Sequence, residues 1–304
     1  MTLQQLEYII AVYRLRHFAK AAEHCGVTQP TLSAMVQKLE TELGVKLFER
    51  SSQQVVPTQV GRLVVEQAWK VVQRAARIKQ IVAEQQHAVA GEFRLGILPT
   101  IAPYLLPRFF PDFCRKYPEV EIKAVELKTD DIRRELAKGE IDAAIMVNLN
   151  DMDNLEFYPL YQERFYVYVS RHDPLFNHKN IKTADLGNKT LWLLDEGHCF
   201  RDQLVKFCNL KGARKSKTTY SLGSIETFMR MVEGGMGITF IPELALWQLS
   251  DRQMELVRPF ALPEPSREIV LVTGKNYLRK TLVNLLVKEI CSCLPEWKKN
   301  YTQR

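Results

Sequence analysis

The chain has 304 residues, 46% of them hydrophobic and 25% charged, with 14 glycines and 14 prolines. That composition excludes a fibrous, low-complexity or mainly disordered chain, and the length is a prior for two domains. Lys and Arg outnumber Asp and Glu by 42 to 35, a net charge of +7 that suits an acidic partner such as nucleic acid without requiring one.

Residues 1–11 lack the pattern of a secretory signal, and no run approaches 18 uninterrupted apolar residues. A cytoplasmic protein with no membrane partner is expected. Residues 1–58 read as short helices. Leu3, Leu6, Ile9, Ile10 and Tyr13 recur at helical spacing, and Phe18, Ala21 and Ala22 continue on a second helix that stops at Gly26. Thr28 caps a third helix, with Pro30 in its first turn and Leu32, Met35, Val36 and Leu39 as its apolar stripe. Two helices joined by Cys25-Gly26-Val27-Thr28 form a helix-turn-helix signature. Leu47 and Phe48 then lead into two extended pieces around a polar tip over 49–57, a hairpin wing.

Thr58 caps one long helix that runs to about residue 88, with Val60, Leu63, Val64, Val71, Ala75, Ile78 and Val82 along one face. The spacing is close to heptads, which fits a dimer seam or a helix packed on its own domain. After Gly91 the texture alternates. Strands are read at 93–98, 120–127, 141–147, 165–169, 190–194, 238–241 and 269–273, with helices through 108–116, from Thr129 and over 278–291. Such alternation calls for an α/β domain with a mainly parallel sheet.

Residues 1–90 carry a net +4 and the longer remainder +3, so the excess is denser around the helix-turn-helix. Its third helix opens Gln29-Pro30-Thr31-Leu32-Ser33, with Gln37 and Lys38 on the exposed face. The terminal amides and hydroxyls, Thr28 included, suit phosphate, while Gln29 and Gln37 present amide edges to bases. Arg50 on the wing is placed to meet phosphate or the minor groove of double-stranded DNA. A merely solubilising helix face is the bland alternative.

Leu6-Glu7-Tyr8, Phe18-Ala19-Lys20-Ala21-Ala22, Gln29-Pro30-Thr31-Leu32-Ser33, Leu39-Glu40 and Gly44-Val45-Lys46-Leu47-Phe48-Glu49-Arg50 resemble the N-terminal domain of LysR-type transcriptional regulators. The resemblance extends over essentially the full chain. It implies a winged helix-turn-helix at 1–58, a linker dimerisation helix at 59–90 and a periplasmic-binding-protein-like α/β regulatory domain at 91–304. Two subdomains are implied in the last, 91–163 with 268–304 and 164–267, around an effector cleft. A second block, Leu194-Asp195-Glu196-Gly197-His198-Cys199-Phe200-Arg201-Asp202-Gln203 followed by Phe207-Cys208, resembles the peroxide-sensing OxyR branch. The run from Leu98 to Pro107 and Ser224-Ile225-Glu226-Thr227 agree with it.

That resemblance implies a non-enzymatic redox sensor and transcriptional activator. Cys199, at a strand–helix junction where amides favour a thiolate, would attack hydrogen peroxide, and Cys208 would resolve the sulfenic acid as a disulfide. His198 and Arg201 would add donors, and Asp202 would orient one of them or relay a proton. Thr100 and Thr129 would hold peroxide from across the cleft, with Arg267 as a cation near the thiolate. If 199–208 were one helix, about 13 Å would separate the two Cα atoms on opposite faces, beyond the roughly 7 Å limit of a disulfide, so the segment would have to unwind.

The expected assembly is a homodimer, paired into a homotetramer as the family implies, with RNA polymerase and a thiol reductant as further candidate partners. Cys25 and Cys114 read as packing residues. Cys291 and Cys293 lack the residues to complete a zinc set, so no metal or cofactor is expected. The rival readings are a LysR-type regulator answering a small organic effector and a thiol peroxidase.

Overall fold

The computed structural model describes residues 1–50, 55–85, 89–149, 152, 154–187, 189–194, 199–208 and 224–295, without the side chains of Arg50, Cys199 and several residues late in the linker helix. The chain separates into two compact units, 1–86 and 87–304. Each has its own core.

The first unit opens with α1 (Leu3–Leu15), whose cap Thr2 accepts the Gln5 N–H while the Gln5 side chain accepts the Thr2 N–H. Next comes α2 (Phe18–His24), capped by His17, whose Nδ1 accepts the Ala19 N–H at 3.2 Å. The chain turns through Gly26 at φ +67° into α3 (Gln29–Leu43), capped by Thr28. Leu32, Val36 and Leu39 are fully buried on α3 against Leu6, Ile9 and Val12 of α1. Strands β1 (Phe48–Arg50) and β2 (Val55–Pro57) pair antiparallel as the wing. The buried Glu40 carboxylate fastens α3 to that wing, accepting the N–H groups of Leu47 at 2.7 Å and Phe48 at 3.2 Å.

The linker helix α4 (Gln59–Gln85) is capped by Thr58, whose hydroxyl accepts the Gly61 N–H at 2.9 Å. Its two faces do different work. Val65 and Ala68, absent from the apolar face read from the sequence, are the residues that bury in the first unit's core, while Leu63, Val71, Ile78 and Val82 stay exposed.

The second unit is built on one continuous sheet. Strands β3 (Gly91–Ile97), β4 (Val120–Glu126) and β5 (Ala143–Val147) run parallel, linked by α5 (Ala102–Lys116) and α6 (Thr129–Lys138). The 15-residue β6 (Leu155–Val169) pairs with β9 (Ser266–Gly274) up to Arg164 and with β7 (Ile238–Pro242) and β8 (Val257–Pro259) from Phe165 onward, all antiparallel. The β5–β9 pair is antiparallel too. The mainly parallel sheet expected from the alternation is therefore corrected to a mixed one, because the two long strands that join the lobes run against their neighbours. Residues 190–194 form no full strand: Leu191 makes an isolated parallel bridge to Ile238. On the β7 side lie α7 (Cys199–Phe207), α8 (Ile225–Glu233) and the short α9 (Asp251–Met254), and α10 (Lys280–Ser292) closes the described fold.

Gly61 shows how tightly α4 sits on the wing. A Cβ there would overlap the Leu47 carbonyl oxygen, part of the backbone and unable to move aside. Gly61→Ala is expected to destabilise the DNA-binding unit by about 1–3 kcal/mol, read as a lower Tm by calorimetry.

Candidate functional site

In the first unit, Thr28, Gln29, Pro30 and Thr31 at the start of α3 are exposed, as are Gln37 and Lys38, and Ser33 is half-buried. Leu32, Val36 and Leu39 face the other way, into the core. This division leaves the opening turn of α3 and one flank free for a groove. Arg50 ends β1, its side chain lying outside the described residues.

In the second unit, strand register brings two hydroxyls to one edge. Ile97 pairs with Glu126 at the carboxyl ends of parallel β3 and β4, and Thr100 and Thr129 each follow three residues on. In parallel sheets that end is where ligands bind. Both threonines are buried, at 3% and 8% exposure. The Thr129 hydroxyl, at the first residue of α6, has no hydrogen-bond partner among the described residues. Burying a hydroxyl unpaired costs free energy, which a bound peroxide or water would return.

Arg267 organises the other hydroxyl. It stands directly opposite Glu163 across β9 and β6, and its Nε donates to the Glu163 carboxylate at 2.7 Å. The rest of the guanidinium donates to the Thr100 hydroxyl at 3.0 Å and the Thr100 carbonyl at 3.1 Å. Because Thr100 Oγ1 is thereby an acceptor, its own proton remains available to a ligand. Arg267 also lies under the rings of Phe165 and Phe200, at 5.6 and 5.0 Å. Sequence reading made it a cation for the thiolate. Its charge is paired with Glu163, and the same group positions Thr100 and meets the Phe200 ring at the start of α7.

That helix begins at Cys199, whose backbone occupies the first helical position while its thiol lies outside the described residues, as does all of His198. Phe200, Leu204 and Cys208, four residues apart, are all buried on one stripe facing the core. The Cys208 N–H donates to the Leu204 carbonyl at 2.9 Å, so helical bonding reaches Cys208 itself. Burial pushes this free thiol up to about 11. Arg201 is half-buried, and Asp202, in the first turn where the helix dipole favours a carboxylate, is exposed.

Two residues of this arrangement carried no role in the sequence reading. Glu163 sits in the part of β6 that pairs with β9, a stretch that Pro159 made poor strand sequence and that only that pairing explains. Gln203 shares the Cys199 face one turn on, and its side-chain oxygen is buried without a partner among the described residues. An i, i+4 count from Cys199 was the available signal. Among the described residues no cluster of His, Cys, Asp and Glu is arranged to hold a metal ion, and no helix is long and apolar enough to cross a membrane.

Comparison with known proteins places both units in one family. Residues 3–62 match the bacterial regulatory helix-turn-helix proteins of the lysR family, and residues 86–291 match the LysR substrate binding domain. The chain belongs to the LysR family of bacterial transcriptional regulators, in its OxyR branch. It is 38% identical to the hydrogen peroxide-inducible genes activator of Dickeya chrysanthemi, over 90% of this chain and 89% of that one. A full-length OxyR variant from Pseudomonas aeruginosa matches with TM-score 0.76 at 35% identity, covering 96% of each chain. Reduced OxyR from Porphyromonas gingivalis matches with TM-score 0.63 at 46% identity, covering 68% of this chain and 96% of that one.

A thiol held near pH 11 is almost fully protonated at neutral pH, and its reactive form grows as pH rises toward that value. In the reduced, folded chain, iodoacetamide labelling of Cys208 is expected to be slow at pH 8 and to accelerate toward pH 11, while denatured protein labels readily at pH 8. Peptide mass spectrometry reads both rates.

Proposed function

We propose that this chain is a peroxide-responsive, DNA-binding transcriptional activator in which Cys199 and Cys208 form the switch. The relatives' names support the peroxide response over a small organic effector. The observation that carries the site is Arg267, which touches both Thr100 and Phe200, the neighbour of Cys199. Peroxide is held by the Thr100 and Thr129 hydroxyls, with Gln203 as an acceptor and His198 and Arg201 as donors. The Cys199 thiolate, favoured by the amides at the start of α7, attacks one peroxide oxygen. The O–O bond breaks, the sulfur keeps that oxygen as sulfenic acid, and the other leaves as hydroxide that takes a proton to become water. Asp202 orients the donors or relays that proton.

Cys208 then attacks the sulfenic sulfur, forming the disulfide and releasing a second water. Its burial makes this step wait. Opening of α7 both exposes and ionises Cys208, so unwinding and resolution are one event. The trapped rearrangement changes how paired DNA-binding units meet their half-sites, where Thr28, Gln29, Pro30, Thr31, Ser33, Gln37, Lys38 and Arg50 contact DNA. The exposed apolar residues of α4 support homodimerisation through that helix. Pairing of dimers into a tetramer, and contacts with RNA polymerase and a thiol reductant, follow from the family resemblance. The working domain limits are 1–58, 59–90 and 91–304, with the subdomains exchanging near residue 164, where β6 changes partners.

Stoichiometric peroxide followed by thiol trapping and DNA footprinting tests this. The wild-type chain is expected to gain a 199–208 disulfide and a changed footprint, and Cys208→Ala to stop at the sulfenic acid with the reduced footprint. A peroxide-changed footprint in Cys208→Ala would refute the dithiol switch.

A further inference from the structure

A cavity of about 670 Å³ opens between the end of β6, the last turn of α8 and α9. None of Thr100, Thr129, Gln203, Cys208 or Arg267 lines it, so the peroxide chemistry makes no use of it. Its floor is buried: Ser170, Val232 and Leu256 are 2%, 1% and 5% exposed. Its walls bring together Arg171 and His172 from the segment after β6, Arg230 from α8 and Arg252 from α9, against one lining carboxylate, Glu233.

That carboxylate is already occupied. Tyr168 and Gln253 each donate to it at 2.9 Å and Arg230 at 2.7 Å. Arg230 in part serves the carboxyl end of α8, where a cation complements the helix dipole. Arg171 lies outside any helix, and Arg252 lies in the four-residue α9, too short to build much of a dipole. Arg171 pairs with Glu255, both more than half exposed and so weakly bound to each other. Arg252 has no carboxylate partner among the described residues. The Ser170 hydroxyl accepts the His172 N–H at 3.3 Å, but its own proton meets no acceptor among the described residues although the side chain is buried. Gly235, at φ +97°, makes room for the His172 ring, whose Cδ2 would come within 3.0 Å of any Cβ there.

One guanidinium without a carboxylate partner, a second held only by an exposed pair, a buried hydroxyl donor and an imidazole together suit a phosphate group. The cavity is much larger than one phosphate ion and within the range of small-molecule sites, and Val232 and Leu256 give it an apolar floor. We propose that this cavity is a second ligand site, for a small organic phosphate monoester, built from Ser170, His172, Arg171, Arg230 and Arg252.

Titration calorimetry on the reduced full chain at low salt, with glucose 6-phosphate, inorganic phosphate and glucose as probes, tests it. Glucose 6-phosphate is expected to bind once per chain and more tightly than inorganic phosphate, and glucose not at all. Arg252→Glu, a surface change that should leave Tm unaltered, is expected to weaken binding at least about tenfold, and Ser170→Ala to weaken it less. Absence of binding, equal affinity for both phosphates, or affinity untouched by Arg252→Glu overturns the proposal.

Discussion

The geometry of one nine-residue helix constrains everything else in the regulatory unit. With α7 intact from Cys199 to Phe207 and its bonding continued to Cys208, the two cysteines are about 13 Å apart at Cα and on opposite sides of the helix, whereas a disulfide tolerates about 7 Å. The folded helix therefore keeps apart the two cysteines that the proposed disulfide would join. Cys208 is not a spectator waiting at the surface: with Phe200 and Leu204 it is part of the stripe that holds α7 on the core. In the proposed switch, its removal from the core and its activation as a nucleophile would have the same cause.

A switch of this kind needs a rigid counterpart against which the helix moves. The Glu163–Arg267 pair supplies it, buried across two strands that run between the lobes. Removing either partner would strand the other charge in the core, a loss of about 3–5 kcal/mol. The same guanidinium fixes Thr100 and lies under Phe200, so the proposed peroxide pocket and the start of α7 share one anchor. Further contacts join the lobes at α5, where Tyr104 donates to Glu226 at 3.2 Å and Arg108 lies over the Trp247 ring. Movement of α7 can thus leave the sheet unchanged while altering what surrounds it.

Much of this was legible in the residues. Caps at Thr28 and Thr58, the apolar stripe of α3 and the wing all follow from local chemistry, and local chemistry is what sequence reports well. Thr100 and Thr129 were reached through motif resemblance, and parallel register explains why they share an edge. What escaped depends on distant pairing. The β9-paired part of β6 and the three-residue β8 gain their structure from β9 and β6, so neither carries a strong signal alone, and Glu163 went unseen with them. The mixed character of the sheet has the same origin, since strand direction is decided by connections rather than by composition. On α4, periodicity marked an apolar face but could not tell which residues bury within the chain, and Val65 and Ala68 took that part.

Hydrogen–deuterium exchange over the 199–208 peptides, before and after one equivalent of peroxide, addresses the central claim directly. Amides bonded within α7 should be protected in the reduced chain and lose that protection in step with disulfide formation. A 199–208 disulfide formed while those amides stay protected would show that the bond does not require the helix to open.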